Sequence, residues 1–317
     1  MGEKSKKIGE IGENIVGNFF ILIGWDGALS GQSLRCKKTQ KHARKDSKNG
    51  KRESHGIDYL FCYKSPLESS TVESAVISVK HSGNAYENTP KSTFKSHAED
   101  LIQTLECYKH SELRKQQHEL FGRVTKNRDS GVLFWLSSHE KTYDDVVSKI
   151  ANTKLNPDWS FESFHVVDNR RIQFIYETLT FLINKTSSEQ LNFYYPETSL
   201  SYVDKTIARS GKICPLDFLT APILPLIIKA KRDDEQDIFC LSSIEDFDQD
   251  SMRRLIQAAR EYTQDMSCKY LFLFPNYVSD LHGDAVKKAS TGFNENISAR
   301  IEVLTYRPDF RSLNNAQ

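Results

Sequence analysis

Two apolar, alternating segments separated by a short turn-forming stretch constrain this chain more than any other feature. The first arm is Gly56-Ile57-Asp58-Tyr59-Leu60-Phe61-Cys62-Tyr63 and the second is Ala75-Val76-Ile77-Ser78-Val79-Lys80, with Ser65-Pro66-Leu67-Glu68-Ser69-Ser70-Thr71 between them. Such a pattern predicts a β-hairpin. An antiparallel pair brings the start of its first strand beside the end of its second, so Asp58 and Lys80 become neighbours. Side chains two apart share a face, which puts Ser78 with Lys80 and Ile77 with Val79. An aspartate in an apolar strand is costly to bury unless its charge is compensated, and a metal ion or the lysine would do so.

Residues 8–23 place Ile8, Ile11, Ile15, Phe19 and Leu22 at helical spacing, and Val16 and Ile23 widen the same apolar arc. Glu13 falls near the edge of that arc and Glu10 clearly outside it. Glu13 is therefore the better candidate for a carboxylate facing a pocket at the core margin. The competing reading makes both of them solvated surface acids.

In sum, Gly9-Glu10-Ile11-Gly12-Glu13, Gly56-Ile57-Asp58 and Val76-Ile77-Ser78-Val79-Lys80 resemble the PD-(D/E)XK nuclease superfamily, the restriction-endonuclease-like fold. The resemblance implies an α/β core in the order αβββαβ, a mixed sheet flanked by helices. The matching elements are a helix at 8–23, a strand near 29–35, the two hairpin arms, a helix near 94–109 and a strand at 131–136. Phe94, Ala98, Leu101, Ile102, Leu105 and Tyr108 support the second helix by their three- and four-residue spacing.

Carried over residue by residue, the resemblance makes Asp58 the first metal-binding acid, Lys80 the lysine, Glu13 the helix acid and the Val79 carbonyl a further metal ligand. It implies Mg²⁺ or Mn²⁺ as cofactor, DNA as substrate, and a place in bacterial anti-phage defence as a homo-oligomer or with a second protein subunit. Ser78 departs from the pattern, because the family usually has Glu or Asp there, and a serine is a poor Mg²⁺ ligand. Its hydroxyl would instead hydrogen-bond a metal-bound water. The departure keeps open a second reading, a catalytically silent subunit that binds nucleic acid or scaffolds a partner.

Net charge is only +1, yet its distribution is uneven. Lys37, Lys38, Lys41, Arg44, Lys45, Lys48, Lys51 and Arg52 crowd a segment whose one acid is Asp46, and this predicts a mobile basic loop for the DNA backbone leading into the Asp58 strand. Acids dominate 233–250, which reads as a solvated surface.

At 317 residues the chain has room for two domains. A strand at 164–167 and a helix at 171–184 complete the first, giving 1–185 as the nuclease-like domain. Residues 184–190 read as a linker, and 191–317 as a second α/β domain that binds a partner or positions substrate. Its expected elements are paired strands at 224–229 and 238–241, a helix at 250–263, a strand at 270–274, a helix near 279–290 and a strand at 300–304.

Mean hydropathy is −0.54, and no run is long enough to cross a bilayer. Six scattered cysteines suit free thiols, and with no apolar signal core at the start of the chain they point to the cytoplasm. None is paired as Cys-x-x-Cys, and the nine histidines show no zinc-finger spacing, which speaks against a structural zinc site. No glycine-rich phosphate loop is present. His55 and His81 flank the Asp58–Lys80 pair, where a catalytic role competes with an ordinary structural one.

Overall fold

The computed structural model describes residues 2–43, 50–139, 144–197, 208–232, 234–264, 266–291, 293 and 300–309. By its contacts the chain forms two compact units, Met1–Ile172 and Gln173–Gln317. That division falls inside the helix that precedes the expected linker.

The first unit opens with α1 (Gly2–Leu22), followed by β1 (Leu29–Arg35), β2 (Ser54–Lys64), β3 (Thr71–Ser82), α2 (Lys91–Tyr108), α3 (Glu112–Glu119), β4 (Lys126–Ser137), α4 (Val146–Ile150) and β5 (Ser163–Val167). The strands make one mixed sheet in the order β1-β2-β3-β4-β5. The first three are antiparallel neighbours, while β3–β4 and β4–β5 run parallel. This is the restriction-endonuclease-like core that the resemblance implies, with α3 added before β4.

Alternation along the strands decides which helix covers which face. Phe134 of β4 and Tyr59 of β2 meet Phe20 of α1, with ring centroids 5.7 and 5.1 Å apart. On the opposite face Leu60, Val76, Leu133 and Trp135 pack with Phe94, Ala98, Leu101, Ile102 and Leu105 of α2. All six apolar positions that predict α2 are buried.

In α1 the helical period is as expected but the buried face is rotated. Ile11 and Ile15 are exposed, whereas Gly12, Val16, Phe19, Phe20 and Ile23 face the sheet. The cause is close approach. A Cβ on Gly12 would lie 2.4 Å from the His81 Cβ, and one on Gly17 would lie 2.9 Å from the Tyr59 hydroxyl. Glycine at these two positions lets the helix settle directly on β2 and β3. At about 100° per residue, Glu13 still lies at the edge of the buried stripe and Glu10 well away from it.

The second unit takes up most of α5 (Asn169–Lys185), then β6 (Leu191–Tyr194), β7 (Ser210–Gly211), a short 3₁₀ turn (Leu216–Leu219), β8 (Ile223–Ile228), β9 (Ile238–Ser243), α6 (Gln249–Thr263), β10 (Lys269–Phe274), α7 (Ser279–Ser290) and β11 (Ile301–Thr305). Its sheet runs β11-β10-β9-β8-β6-β7, parallel across β9, β10 and β11 and antiparallel elsewhere. Asp248 caps α6 by accepting the Ser251 amide at 2.8 Å. Phe239, Leu241, Met252, Ile256, Phe272 and Phe274 centre its core. Among the described residues no helix is long and apolar enough to cross a membrane.

Candidate active site

The hairpin closes through Ser70, whose φ of 53° lies in the left-handed region, and through the Ser65 amide donating to the Thr71 carbonyl at 2.8 Å. Its ladder runs from Lys64↔Val72 to Tyr59↔Ile77. Beyond that pair the Asp58 side chain takes over, accepting the Val79 amide N–H on Oδ2 at 2.6 Å. Asp58 is thus fixed beside the Ser78-Val79-Lys80 segment, as the hairpin requires, through the backbone next to Lys80. Asp58, Ser78, Val79 and Lys80 are all partly accessible.

Glu13 reaches the same strand end from α1. The Tyr59 hydroxyl donates to the Glu13 carbonyl at 2.9 Å, which pins this turn of the helix to β2. Burial pushes the Glu13 carboxyl above its ordinary range, and the negative charges of Asp58 and Glu10 push it further. The Lys80 ammonium pulls it back. Asp58 and Lys80 therefore both lie close enough to Glu13 to act on its carboxyl electrostatically. Glu10 pairs instead with Lys6, 3.8 Å away on the exposed side of the helix.

Two residues absent from the sequence reading complete the surroundings of Lys80. Asp100 of α2 lies 3.9 Å from its Nζ and is itself held by Arg52 at 2.8 Å. His97, one turn earlier, sits edge-on to Trp135 with centroids 5.4 Å apart, and burial followed by the Lys80 charge lowers its pKa. An acid on the polar side of an amphipathic helix reads as solvated, so nothing in the α2 sequence singles out Asp100.

The basic segment differs from its expected form. Lys38 Nζ lies 2.6 Å and Lys41 Nζ 3.3 Å from the buried Glu106 carboxylate, and Arg52 is itself buried. The Arg52 amide donates to the Thr39 carbonyl at 2.9 Å and the Cys36 amide to the Glu53 carbonyl at 2.8 Å. Both ends of the segment are tied to the core, because its cations have internal partners that composition does not reveal. Lys37 and Lys51 are exposed. Arg44, Lys45 and Lys48 lie outside the described residues.

Neither flanking histidine faces the Asp58–Lys80 pair as a free base. His81 Nδ1 lies 2.7 Å from the Ile8 carbonyl, to which it donates, and its Nε2 lies 2.7 Å from the Ser138 hydroxyl. His55 is fully buried and converges with Cys36, His42 and Cys107. The fold thus brings together cysteines and histidines whose spacing along the chain speaks against a metal cluster.

The arrangement at the strand end can hold a hard cation. Glu13 and Asp58 offer carboxylate oxygens, the donor type that Mg²⁺ and Mn²⁺ prefer. The upward push on the Glu13 carboxyl by Asp58 marks the crowding of negative charge that a dication relieves. Comparison with curated proteins and with solved structures gives no match. Residues 1–171 match the family described as the GAPS4 protein PD-(D/E)XK nuclease domain. Because that match spans more than half of the chain, the protein belongs to the family of GAPS4 PD-(D/E)XK nuclease-domain proteins.

Proposed function

We propose that the N-terminal unit is a metal-dependent endonuclease that hydrolyses DNA phosphodiester bonds, acting in anti-phage defence together with a second subunit or further copies of itself. The observation that supports this reading is the influence of Asp58 and Lys80 on the Glu13 carboxyl, with Asp58 held by the Val79 amide next to Lys80. Glu13, Asp58 and the Val79 carbonyl would hold Mg²⁺ or Mn²⁺. Such an ion stabilises charge on the scissile phosphate and lowers the pKa of an attacking water.

The chain's own groups do the rest. Lys80, a compact ammonium, orients the attacking water or neutralises charge that develops on the phosphate as the new P–O bond forms and the bond to the sugar oxygen breaks. Asp100, anchored by Arg52, positions that ammonium. The Ser78 hydroxyl contributes a hydrogen bond to water. Lys37 and Lys51 contact the DNA backbone without reading its sequence. In this reading the C-terminal α/β domain positions substrate or binds the partner.

A second reading, a catalytically silent subunit, is favoured by one specific feature, the serine at position 78 where a carboxylate would strengthen metal binding. Incubating the purified chain and plasmid with Mg²⁺ or Mn²⁺ separates the two readings, alone and with the neighbouring gene product. Nicking that disappears in Glu13→Gln and Lys80→Ala supports the nuclease. Salt-sensitive DNA binding with no cleavage under any of these conditions supports the silent subunit.

A further inference from the structure

We propose that Cys36, His42, His55 and Cys107 bind one structural Zn²⁺ ion, at a site separate from the acidic strand end. The four residues come from four places in the fold: just after β1, the β1–β2 connection, the start of β2 and the last turn of α2. All are buried, and their ligand atoms lie within 4.8 Å of one another.

Four of the six distances between those atoms match a tetrahedron around zinc, and the other two are within 4.8 Å. With Zn–S near 2.3 Å and Zn–N near 2.0–2.1 Å, tetrahedral angles require about 3.8 Å between two sulfurs, about 3.6 Å between sulfur and nitrogen and about 3.3 Å between two nitrogens. The Cys36 and Cys107 Sγ atoms are 3.9 Å apart, and His42 Nδ1 and His55 Nε2 are 3.3 Å apart. His42 Nδ1 lies 3.4 Å from Cys36 Sγ and 3.5 Å from Cys107 Sγ.

The outer hydrogen bonds fix which ring nitrogens point inward. His42 Nε2 lies 3.2 Å from the Glu106 carboxylate, which only accepts, so the ring proton sits on Nε2 and the Nδ1 lone pair faces the cluster. The Thr104 hydroxyl already donates to the Asp100 carbonyl at 2.8 Å. It therefore accepts from His55 Nδ1, 3.3 Å away, which turns the His55 Nε2 lone pair inward as well. Two imidazole lone pairs thus face each other across 3.3 Å beside two cysteine sulfurs, the donor set that a cation between them would gather. The Lys37 amide donates to Cys107 Sγ at 3.3 Å, a bond that stabilises a thiolate. Carboxylate and hydroxyl partners that orient histidine ligands in this way are the usual outer shell of zinc sites.

Two thiolates and two neutral imidazoles neutralise Zn²⁺ and fill all four positions, the mark of a structural rather than a catalytic site. Its place in the fold gives it a task. It ties the β1–β2 connection to the end of α2, between the Glu106 pairs of Lys38 and Lys41 and the Arg52–Asp100 pair that reaches Lys80. Sequence spacing conceals the site because Cys107 stands seventy-one positions from Cys36.

Elemental analysis of the full chain, purified under reducing conditions and dialysed against metal-free buffer, tests the proposal. About one zinc per chain is expected, and Co²⁺ in its place should give the visible absorption of a tetrahedral site with thiolate-to-cobalt charge transfer. Cys36→Ser with Cys107→Ser should lose the metal, whereas Cys62→Ser, a thiol outside the cluster, should keep it. A wild-type chain that takes up neither Zn²⁺ nor Co²⁺ when supplied overturns the proposal, as does full zinc retention in the double variant. Should that variant be insoluble, the wild-type stoichiometry and the cobalt spectrum decide alone.

Discussion

The Asp58 carboxylate accepts the Val79 amide N–H at 2.6 Å, so the acid of one hairpin strand is held by the backbone of the other, one residue before Lys80. This contact gives Asp58 a structural duty as well as its proposed metal-binding one, and the two can be separated. Asparagine retains an acceptor for the amide and loses the charge. Asp58→Asn should hold stability within about 0.5 kcal/mol of wild type. Asp58→Ala, which leaves the amide without its partner, should cost about 1–3 kcal/mol. Both should abolish plasmid nicking and weaken Mn²⁺ binding measured by calorimetry. If Asp58→Asn cleaves like wild type, the residue serves the fold alone.

Gly12 is the point where α1 meets β3, and any side chain there collides with the root of His81. Alanine would ordinarily favour a helix by about 1 kcal/mol. Here the Cβ would stand 2.4 Å from another Cβ, which no rotamer change relieves. Gly12→Ala should destabilise the protein by about 1–3 kcal/mol net, and shifting Glu13 off the strand end should lower cleavage more than stability alone explains. Gly9→Ala, where an added Cβ meets no atom beyond its own helix within 4 Å, is the control and should leave cleavage unchanged and raise stability by up to about 1 kcal/mol. Equal melting curves for Gly12→Ala and wild type would contradict the close approach.

The hairpin was legible because alternation and a turn are local properties, and residues 54–82 fold as the pattern predicts. The face of α1 was not, because periodicity counts apolar side chains. Ile11 and Ile15 entered that count while Gly12, with no side chain, makes the closest contact. Asp100 and the cysteine–histidine cluster were hidden for a related reason. Their meaning depends on which residues of β1, β2 and α2 the tertiary fold superposes, and no spacing along the chain encodes that. In the basic segment the charge density is visible in sequence, but the buried Glu106 that binds Lys38 and Lys41 is not, because it lies more than sixty positions away.

Lys37 and Lys51 are exposed near the start of the Asp58 strand. Each phosphate contact that a lysine makes releases counterions and contributes about one unit to the slope of log affinity against log salt. Replacing both by glutamine should reduce that slope by about two for a duplex of mixed sequence, with equal loss across unrelated sequences. Lys38→Gln should change it less, since that ammonium is engaged by Glu106. An unchanged slope in the double variant would move the DNA surface elsewhere.

His118 supplies a test by acid. Its Nε2 lies 2.7 Å from the Ser74 hydroxyl, and burial together with the Arg114 charge lowers its pKa to about 4, so the folded protein holds it neutral. In the unfolded chain an ordinary histidine titrates near 6.5. Between those values the unfolded state binds more protons. The contribution of His118 is therefore complete above about pH 6.5, declines as pH falls towards 4 and is constant below. The window corresponds to a loss on the order of 3 kcal/mol at most. Asp129, 4.0 Å away and paired with Arg114, is pushed up by burial and has the opposite sign, gaining stability only as pH drops. Urea unfolding of wild type and His118→Gln at about pH 7 and about pH 4.5 isolates the histidine, because the two proteins share every other titrating group. The variant should lose less stability than wild type over that interval. Parallel losses would mean that His118 is protonated in the fold, with its Ser74 contact remade around the charged ring.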